Sequence, residues 1–109
     1  SDVCSSDLGV VCRYGGEELI VFFPGRAGRD VVPLAKRLRA SIEEMETSFR
    51  SKRIGVTVSI GISERRSPRH ALTHIVHAAD KALYIAKENG RNQVRFVRLK
   101  ETGSRSARR

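Results

Sequence analysis

The residues best suited to do chemistry form a short segment near the start of the chain, Gly15-Gly16-Glu17-Glu18. Apolar, strand-like residues flank the two glycines, which predicts a β-hairpin, because glycine takes positive φ at no steric cost. Consecutive strand side chains point to opposite faces, so Glu17 and Glu18 cannot both serve the core. A carboxylate on a rigid hairpin, beside glycines that admit a ligand, suits a hard cation and a phosphate. The same segment is also compatible with an ordinary solvated hairpin tip.

Two cations, Lys87 and Arg91, stand four residues apart around the predicted end of a helix. Gly90 fits the position just beyond that end, where a left-handed residue is common. Lys87 falls in the last turn, where a cation complements the helix dipole. Taken alone, the pair is either a solvated cationic turn or a pair of phosphate ligands.

Three histidines, His70, His74 and His77, have the i, i+4, i+7 spacing of one helical face. Such spacing permits a transition-metal site. No acidic or sulfur ligand accompanies them, so a solvated helix face is the favoured interpretation.

The elements that must position these groups follow from periodicity and turn signals. Strands are predicted at about 9–14, 18–23, 54–63 and 92–97, and helices at about 30–49 and 70–89. Asp30 is a reasonable N-cap for the first helix. The order β-β-α-β-α-β, with an apolar stripe on each helix, predicts an α+β fold in which helices pack on a mainly antiparallel sheet.

Composition limits the function classes. The chain has 109 residues, enough for one domain, and a formal net charge of +9. The last twelve residues supply +4 of that charge, so it suits a binder of anionic nucleotides without requiring nucleic acid. No apolar run is long enough to span a membrane. Two cysteines, Cys4 and Cys12, form no disulfide framework, which favours the cytoplasm.

Three stretches resemble one known family, the GGDEF domain of diguanylate cyclases. RYGGEEL at residues 13–19 is similar to the family signature. VTVSIGI at 56–62 resembles its central strand, and ADKALYIAKENGRN at 79–92 resembles its last helix and the following turn. The stretches stand in the family's order and spacing. The resemblance implies the GGDEF fold, a relative of nucleotide-cyclase and polymerase palm domains.

The activity that the resemblance implies is the condensation of two GTP molecules to cyclic di-GMP, with release of pyrophosphate, in bacterial second-messenger signalling. Glu17 would be the metal carboxylate and Glu18 the second acidic residue near the metal, which is Mg²⁺ or Mn²⁺. Both would belong to the catalytic centre. Such transfers rely on positioning and on charge neutralisation.

The substrate-binding residues are also implied by the resemblance. Gly15 and Gly16 would admit the nucleotide to the hairpin, while Lys87 and Arg91 would hold the β- and γ-phosphates of GTP. Each domain would bind one GTP, so catalysis would need a second GGDEF domain in a homodimer. No nucleic-acid partner and no membrane contact by this segment are expected. Whether an upstream domain tethers the parent protein to a membrane stays open.

The chain departs from the family pattern in its first part. Residues 1–8 are interpreted as a non-native, adapter-like leader, 9–98 as a partial GGDEF domain, and 99–109 as a basic flexible tail. Ser6 and Gly9 stand where the family places an inhibitory Arg-x-x-Asp motif, so that motif is absent here. The family's first strand and first helices are expected to be missing, together with another metal-binding Asp and the two guanine-reading residues.

The fragment is therefore expected to be inactive by itself. One alternative is a catalytically incomplete GGDEF module that binds GTP or cyclic di-GMP. A small nucleic-acid-binding α+β domain ranks last, because the central strand has no aromatic residues for base stacking.

Overall fold

The computed structural model of the protein describes residues 3–5, 10–13, 15, 18–49, 51–65, 67 and 69–99. Its elements are β1 (Val3–Ser5), β2 (Val10–Arg13), β3 (Leu19–Phe22), α1 (Gly28–Glu44), β4 (Glu46–Phe49), β5 (Lys52–Gly55), β6 (Ile60–Glu64), α2 (Leu72–Glu88) and β7 (Val94–Arg98).

The described strands pair in three groups: β1-β2-β3, β4-β5 and β6-β7. Three of the four described strand pairs are antiparallel, while β6 and β7 run parallel, with α2 as their connection. Both helices contact β6 and β7. The predicted α+β class is confirmed, and the predicted order is present as β2-β3-α1-β6-α2-β7. The short strands β1, β4 and β5 are additional to it.

The largest differences from the predicted elements lie between α1 and β6. The predicted helix over 30–49 ends at Glu44, because Glu46–Phe49 forms a hairpin with Lys52–Gly55. Ser51, in the hairpin turn, has a φ of 68°. The predicted strand over 54–63 is divided, since residues 56–59 form no regular element. Pairing between neighbouring strands outweighs the helical periodicity that extends beyond Glu44 in the sequence.

The start of α1 is capped by a distant residue. The prediction of Asp30 as N-cap is wrong, because the helix begins at Gly28 and its N-cap residue is Ala27, which makes no side-chain cap bond. Instead, the backbone N of Gly28 donates to Oε1 of Glu64 at 2.7 Å. A carboxylate there satisfies an otherwise unpaired amide and complements the helix dipole. A Cβ at Gly28 would lie 2.6 Å from Cζ of Phe96, so the start of α1 packs directly against the Phe96 ring of β7.

Small residues make the closest contacts of the core. The buried apolar side chains among the described residues are Ala35, Ile62, Ala78, Ala82 and Ala86. A Cβ at Gly61 would overlap backbone atoms of α2, so β6 and α2 lie in direct backbone contact there. Some of the predicted apolar stripe of α1 stays uncovered, since Leu38 is 54% exposed.

The three histidines do not share a helical face. His70 precedes α2 and is buried, whereas His74 and His77 lie in the helix and are exposed. Within the residues that the structure describes, no group of three or more His, Cys, Asp or Glu could hold a metal ion. None of the helices in the described part of the chain has the length and apolar character to cross a membrane.

Candidate functional site

The predicted hairpin is formed by β2 and β3, with Arg13 opposite Leu19. Across its turn, the backbone N of Gly15 donates to the carbonyl O of Glu18 at 3.3 Å. Gly15 is exposed. If a Cβ were added to it, the nearest described atom outside its chain neighbours would be Cβ of Glu18, at 4.0 Å. None of the residues that the structure describes therefore fills the position beside Gly15. Gly16 and Glu17 lie outside the described residues.

An ion pair joins the hairpin to the end of α2. Nζ of Lys87 lies 3.5 Å from Oε2 of Glu18, and the two side chains are 34% and 32% exposed. An ion pair this exposed contributes little stability, about 0–1 kcal/mol. What the ion pair shows is a position: one acidic and one basic residue that were predicted for the same site lie next to each other.

The end of α2 has the predicted geometry. Gly90 has a φ of 108°, and the backbone N of Arg91 donates to the carbonyl O of Ala86 at 2.9 Å. A bond of this kind, which spans a left-handed glycine at the end of a helix, is the signature of a Schellman cap. Lys87 lies in the last helical turn, as predicted. Arg91 is exposed just beyond the cap.

Asn92 is the centre of a polar cluster that sequence reasoning missed. Its Oδ1 accepts from Nη1 of Arg39 at 2.8 Å, and its Nδ2 donates to Oε2 of Glu43 at 2.9 Å. Its backbone N donates to Oγ of Ser59 at 3.0 Å. The side-chain partners are 53 and 49 residues away in sequence, so no local pattern could have identified them.

Glu43 is held in its ionised form by this cluster. Hydrogen bonds from Arg39 and then from Asn92 lower the pKa of Glu43 below its usual value. Arg39 also forms an i, i+4 ion pair with Glu43, with Nη1 and Oε1 2.9 Å apart. The cluster therefore connects the exposed side of α1 to the turn that carries Arg91.

The described residues do not by themselves complete a magnesium site. Carboxylate oxygens are the ligands that this cation prefers. Glu18 supplies one carboxylate at the hairpin, and that carboxylate is paired with Lys87. No cluster of three or more potential ligands exists in the described ranges.

The chain is similar in sequence to known proteins. The family model "Diguanylate cyclase, GGDEF domain" matches residues 2–93. Diguanylate cyclase A of Treponema denticola is 41% identical over 91 residues, which are 84% of this chain and 24% of that protein. Response regulator PleD of Caulobacter vibrioides is 35% identical over 96 residues, which are 86% of this chain and 21% of that protein. The chain thus spans a quarter or less of the length of these relatives.

Solved structures give the same assignment. The crystal structure of the GGDEF domain of DgcB from Caulobacter crescentus, in complex with c-di-GMP, matches with a TM-score of 0.77 and 33% identity. The match covers 84% of this chain and 53% of that one. Diguanylate cyclase SiaD from Pseudomonas aeruginosa, in complex with its activator SiaC, matches with a TM-score of 0.75 and 29% identity, covering 84% of this chain and 35% of that one.

The family match begins at residue 2, inside the segment interpreted as a leader, 1–8. The division into that leader, a partial domain at 9–98 and a tail at 99–109 stays a prediction. The family itself is shown, because the match extends over most of the chain and agrees with the structural similarity. The chain therefore belongs to the GGDEF domain family of the diguanylate cyclases.

Proposed function

We propose that the protein from which this chain comes condenses two GTP molecules to cyclic di-GMP and releases pyrophosphate. The observation that carries the proposal is the ion pair between Glu18 and Lys87, 3.5 Å apart. Phosphoryl transfer needs an acidic group for a cation and a basic group for phosphate at one place. Relatives named diguanylate cyclase, such as that of Treponema denticola, support the same reaction.

The hairpin is the proposed metal and nucleotide segment. GGDEF diguanylate cyclases are generally metal-dependent. We assign Mg²⁺ or Mn²⁺ to this chain, with Glu17 and Glu18 as carboxylate ligands, because hard cations prefer oxygen donors. Bound metal would neutralise phosphate charge. No described residue fills the position of a Cβ at Gly15, which supports a role for Gly15 and Gly16 in admitting the nucleotide.

The proposed partners follow from this reaction. Each domain would hold one GTP, so a working centre needs a second GGDEF domain facing the first, in a homodimer. We place the reaction in the cytoplasm, where GTP is available, and assign no nucleic-acid partner to this domain. The crystal structure of DgcB with c-di-GMP supports recognition of the product by this fold.

Lys87 and Arg91 are proposed to hold phosphate rather than base. Replacing either with Ala in the parent protein should weaken GTP binding by about ten- to a hundredfold, since a charge-assisted hydrogen bond is worth about 1.5–3 kcal/mol. The ratio of GTP to ATP affinity should not change. Lys81→Ala is a matched control, because Lys81 is an exposed lysine of the same helix. Titration calorimetry with GTP and ATP measures both quantities, and a changed base preference at unchanged triphosphate affinity would contradict the assignment.

The chain by itself should not make cyclic di-GMP. It covers 53% of the DgcB domain structure, and in the described residues β3 pairs only with β2 and β6 only with β7. A groove of about 340 Å³ lies open between β3 and α2, and Leu19 is 69% exposed. Unpaired strand edges and uncovered apolar surface favour association over a formed catalytic centre.

The measurement is product analysis by chromatography after incubation of the purified chain with GTP and Mg²⁺. Robust synthesis would show that the residues of this chain suffice. In the complete parent protein, GTP binding without turnover would instead support the alternative of a binding module.

A further inference from the structure

We propose that Asn92 is a positioning residue that fixes Arg91 for phosphate binding by holding the turn after α2 against α1. The inference rests on the phosphate role assigned to Arg91 above. The contacts that carry the inference join the Asn92 side chain to Glu43 and Arg39, which lie 49 and 53 residues away in sequence.

The turn after α2 has an unusual backbone. Gly90, Arg91 and Asn92 have φ values of 108°, 62° and 51°, three left-handed residues in succession. Glycine takes this conformation freely, and asparagine tolerates it. For arginine it is uncommon, and such residues persist when the surrounding structure determines them. Arg91 is therefore the residue that needs support from both sides.

That support comes from different parts of the fold. On the N-terminal side, the backbone N of Arg91 is bonded to the carbonyl O of Ala86 in α2. On the C-terminal side, Asn92 is bonded through its backbone N to Ser59, just before β6. The Asn92 side chain is bonded to Arg39 and Glu43 of α1. The backbone of Arg91 is thus fixed between two anchored neighbours.

Such anchoring is useful for a ligand. An arginine on a mobile turn loses conformational freedom when it binds phosphate, whereas a turn ordered by folding has already lost it. Arg91 keeps an exposed side chain on a fixed backbone, four residues after Lys87. Loosening the Asn92 contacts should therefore weaken phosphate binding through Arg91 alone.

A double-mutant cycle in the complete parent protein tests this, with inorganic triphosphate as the probe and titration calorimetry as the readout. Asn92→Gly keeps left-handed freedom and the backbone donor but removes the side-chain bonds. It should weaken triphosphate binding by about three- to tenfold, a fraction of what Arg91 contributes. Once Arg91→Ala is present, Asn92→Gly should have no further effect, because it acts through Arg91.

A second pair of variants protects the test against simple unfolding. Asn92→Asp keeps the acceptor for Arg39 but places a carboxylate beside Glu43, so it should weaken binding. Adding Glu43→Gln supplies an amide donor to that carboxylate and should restore binding. Glu44→Gln, at an exposed neighbour of Glu43, is the matched control and should restore nothing.

The outcomes separate the two proposals. If Arg91→Ala leaves triphosphate affinity unchanged, the phosphate role fails and the positioning role with it. If Arg91→Ala weakens binding while Asn92→Gly does not, or the two effects add, only the positioning role is overturned. If Asn92→Gly unfolds the chain, the Asn92→Asp variant decides, alone and combined with Glu43→Gln. Failure of Glu43→Gln to restore binding there overturns positioning, and restoration supports it.

Discussion

Cyclic di-GMP synthesis should fall by about a hundredfold or more when Glu17 is replaced by glutamine in the complete parent protein, comparable to losing one key electrostatic group in other enzymes. Glutamine has nearly the same shape as glutamate but no charge, and a neutral amide is a poor ligand for Mg²⁺. Glu17 directly precedes Glu18, whose carboxylate lies beside Lys87, so the change falls within the proposed site.

The fold should survive this change, so that the loss can be assigned to chemistry. The thermal unfolding midpoint should match that of the unmodified protein. Glu44→Gln is the matched control, because Glu44 is an exposed glutamate at the end of α1 and should retain full synthesis. Near-normal synthesis by the Glu17→Gln protein would remove Glu17 from the metal site.

Replacing Gly61 with alanine should destabilise the protein by about 3 kcal/mol, at the upper end of the cost of overpacking. A Cβ at Gly61 would overlap the carbonyl O of Ala79 and the backbone N of Leu83. These are backbone atoms of α2, which cannot move aside by changing a rotamer. Relief requires α2 to shift away from β6, and α2 also carries Lys87.

Gly55→Ala is the control for Gly61→Ala, because a Cβ at Gly55 would have no atom within 4 Å. Its effect on stability should stay within about 0.5 kcal/mol. Urea unfolding of the two variants measures the difference, read as a change of midpoint at constant slope. Equal midpoints for the two variants would show that α2 does not lie directly on β6.

The sequence predicted the parts of the fold that depend on local rules. The hairpin around Glu18 follows from two apolar, strand-like runs joined by a turn signal. The glycine at the end of α2 follows from the conformational freedom of glycine, since Gly90 has a φ of 108°. The candidate site is predictable to the same extent, since Glu18 and Lys87 were each found from a local pattern. Their proximity became visible only in the structure, because Lys87 lies 69 positions after Glu18 in the sequence.

Non-local pairing explains what the sequence did not predict. The helical pattern of apolar residues continues to Phe49 in the sequence, but residues 46–49 pair with β5. Periodicity describes one segment alone, so it does not predict that strand pairing will replace the helix there. The Asn92 cluster could not be predicted for a related reason, since the partners of its side chain lie on α1. Secondary-structure propensity is a property of one segment, whereas these contacts depend on which other segment packs against it.

The bond between Gly28 and Glu64 has a consequence for the order of folding. The first amide of α1 is satisfied by a carboxylate 36 residues later, while Ala27 offers no side-chain cap. Closing a loop of that length costs entropy before any contact repays it. We therefore expect the bond that caps the first amide of α1 to form only once β6 is in place. We expect this end of α1 to open together with β6, α2 and β7 rather than with the rest of its own helix, which amide hydrogen exchange would measure.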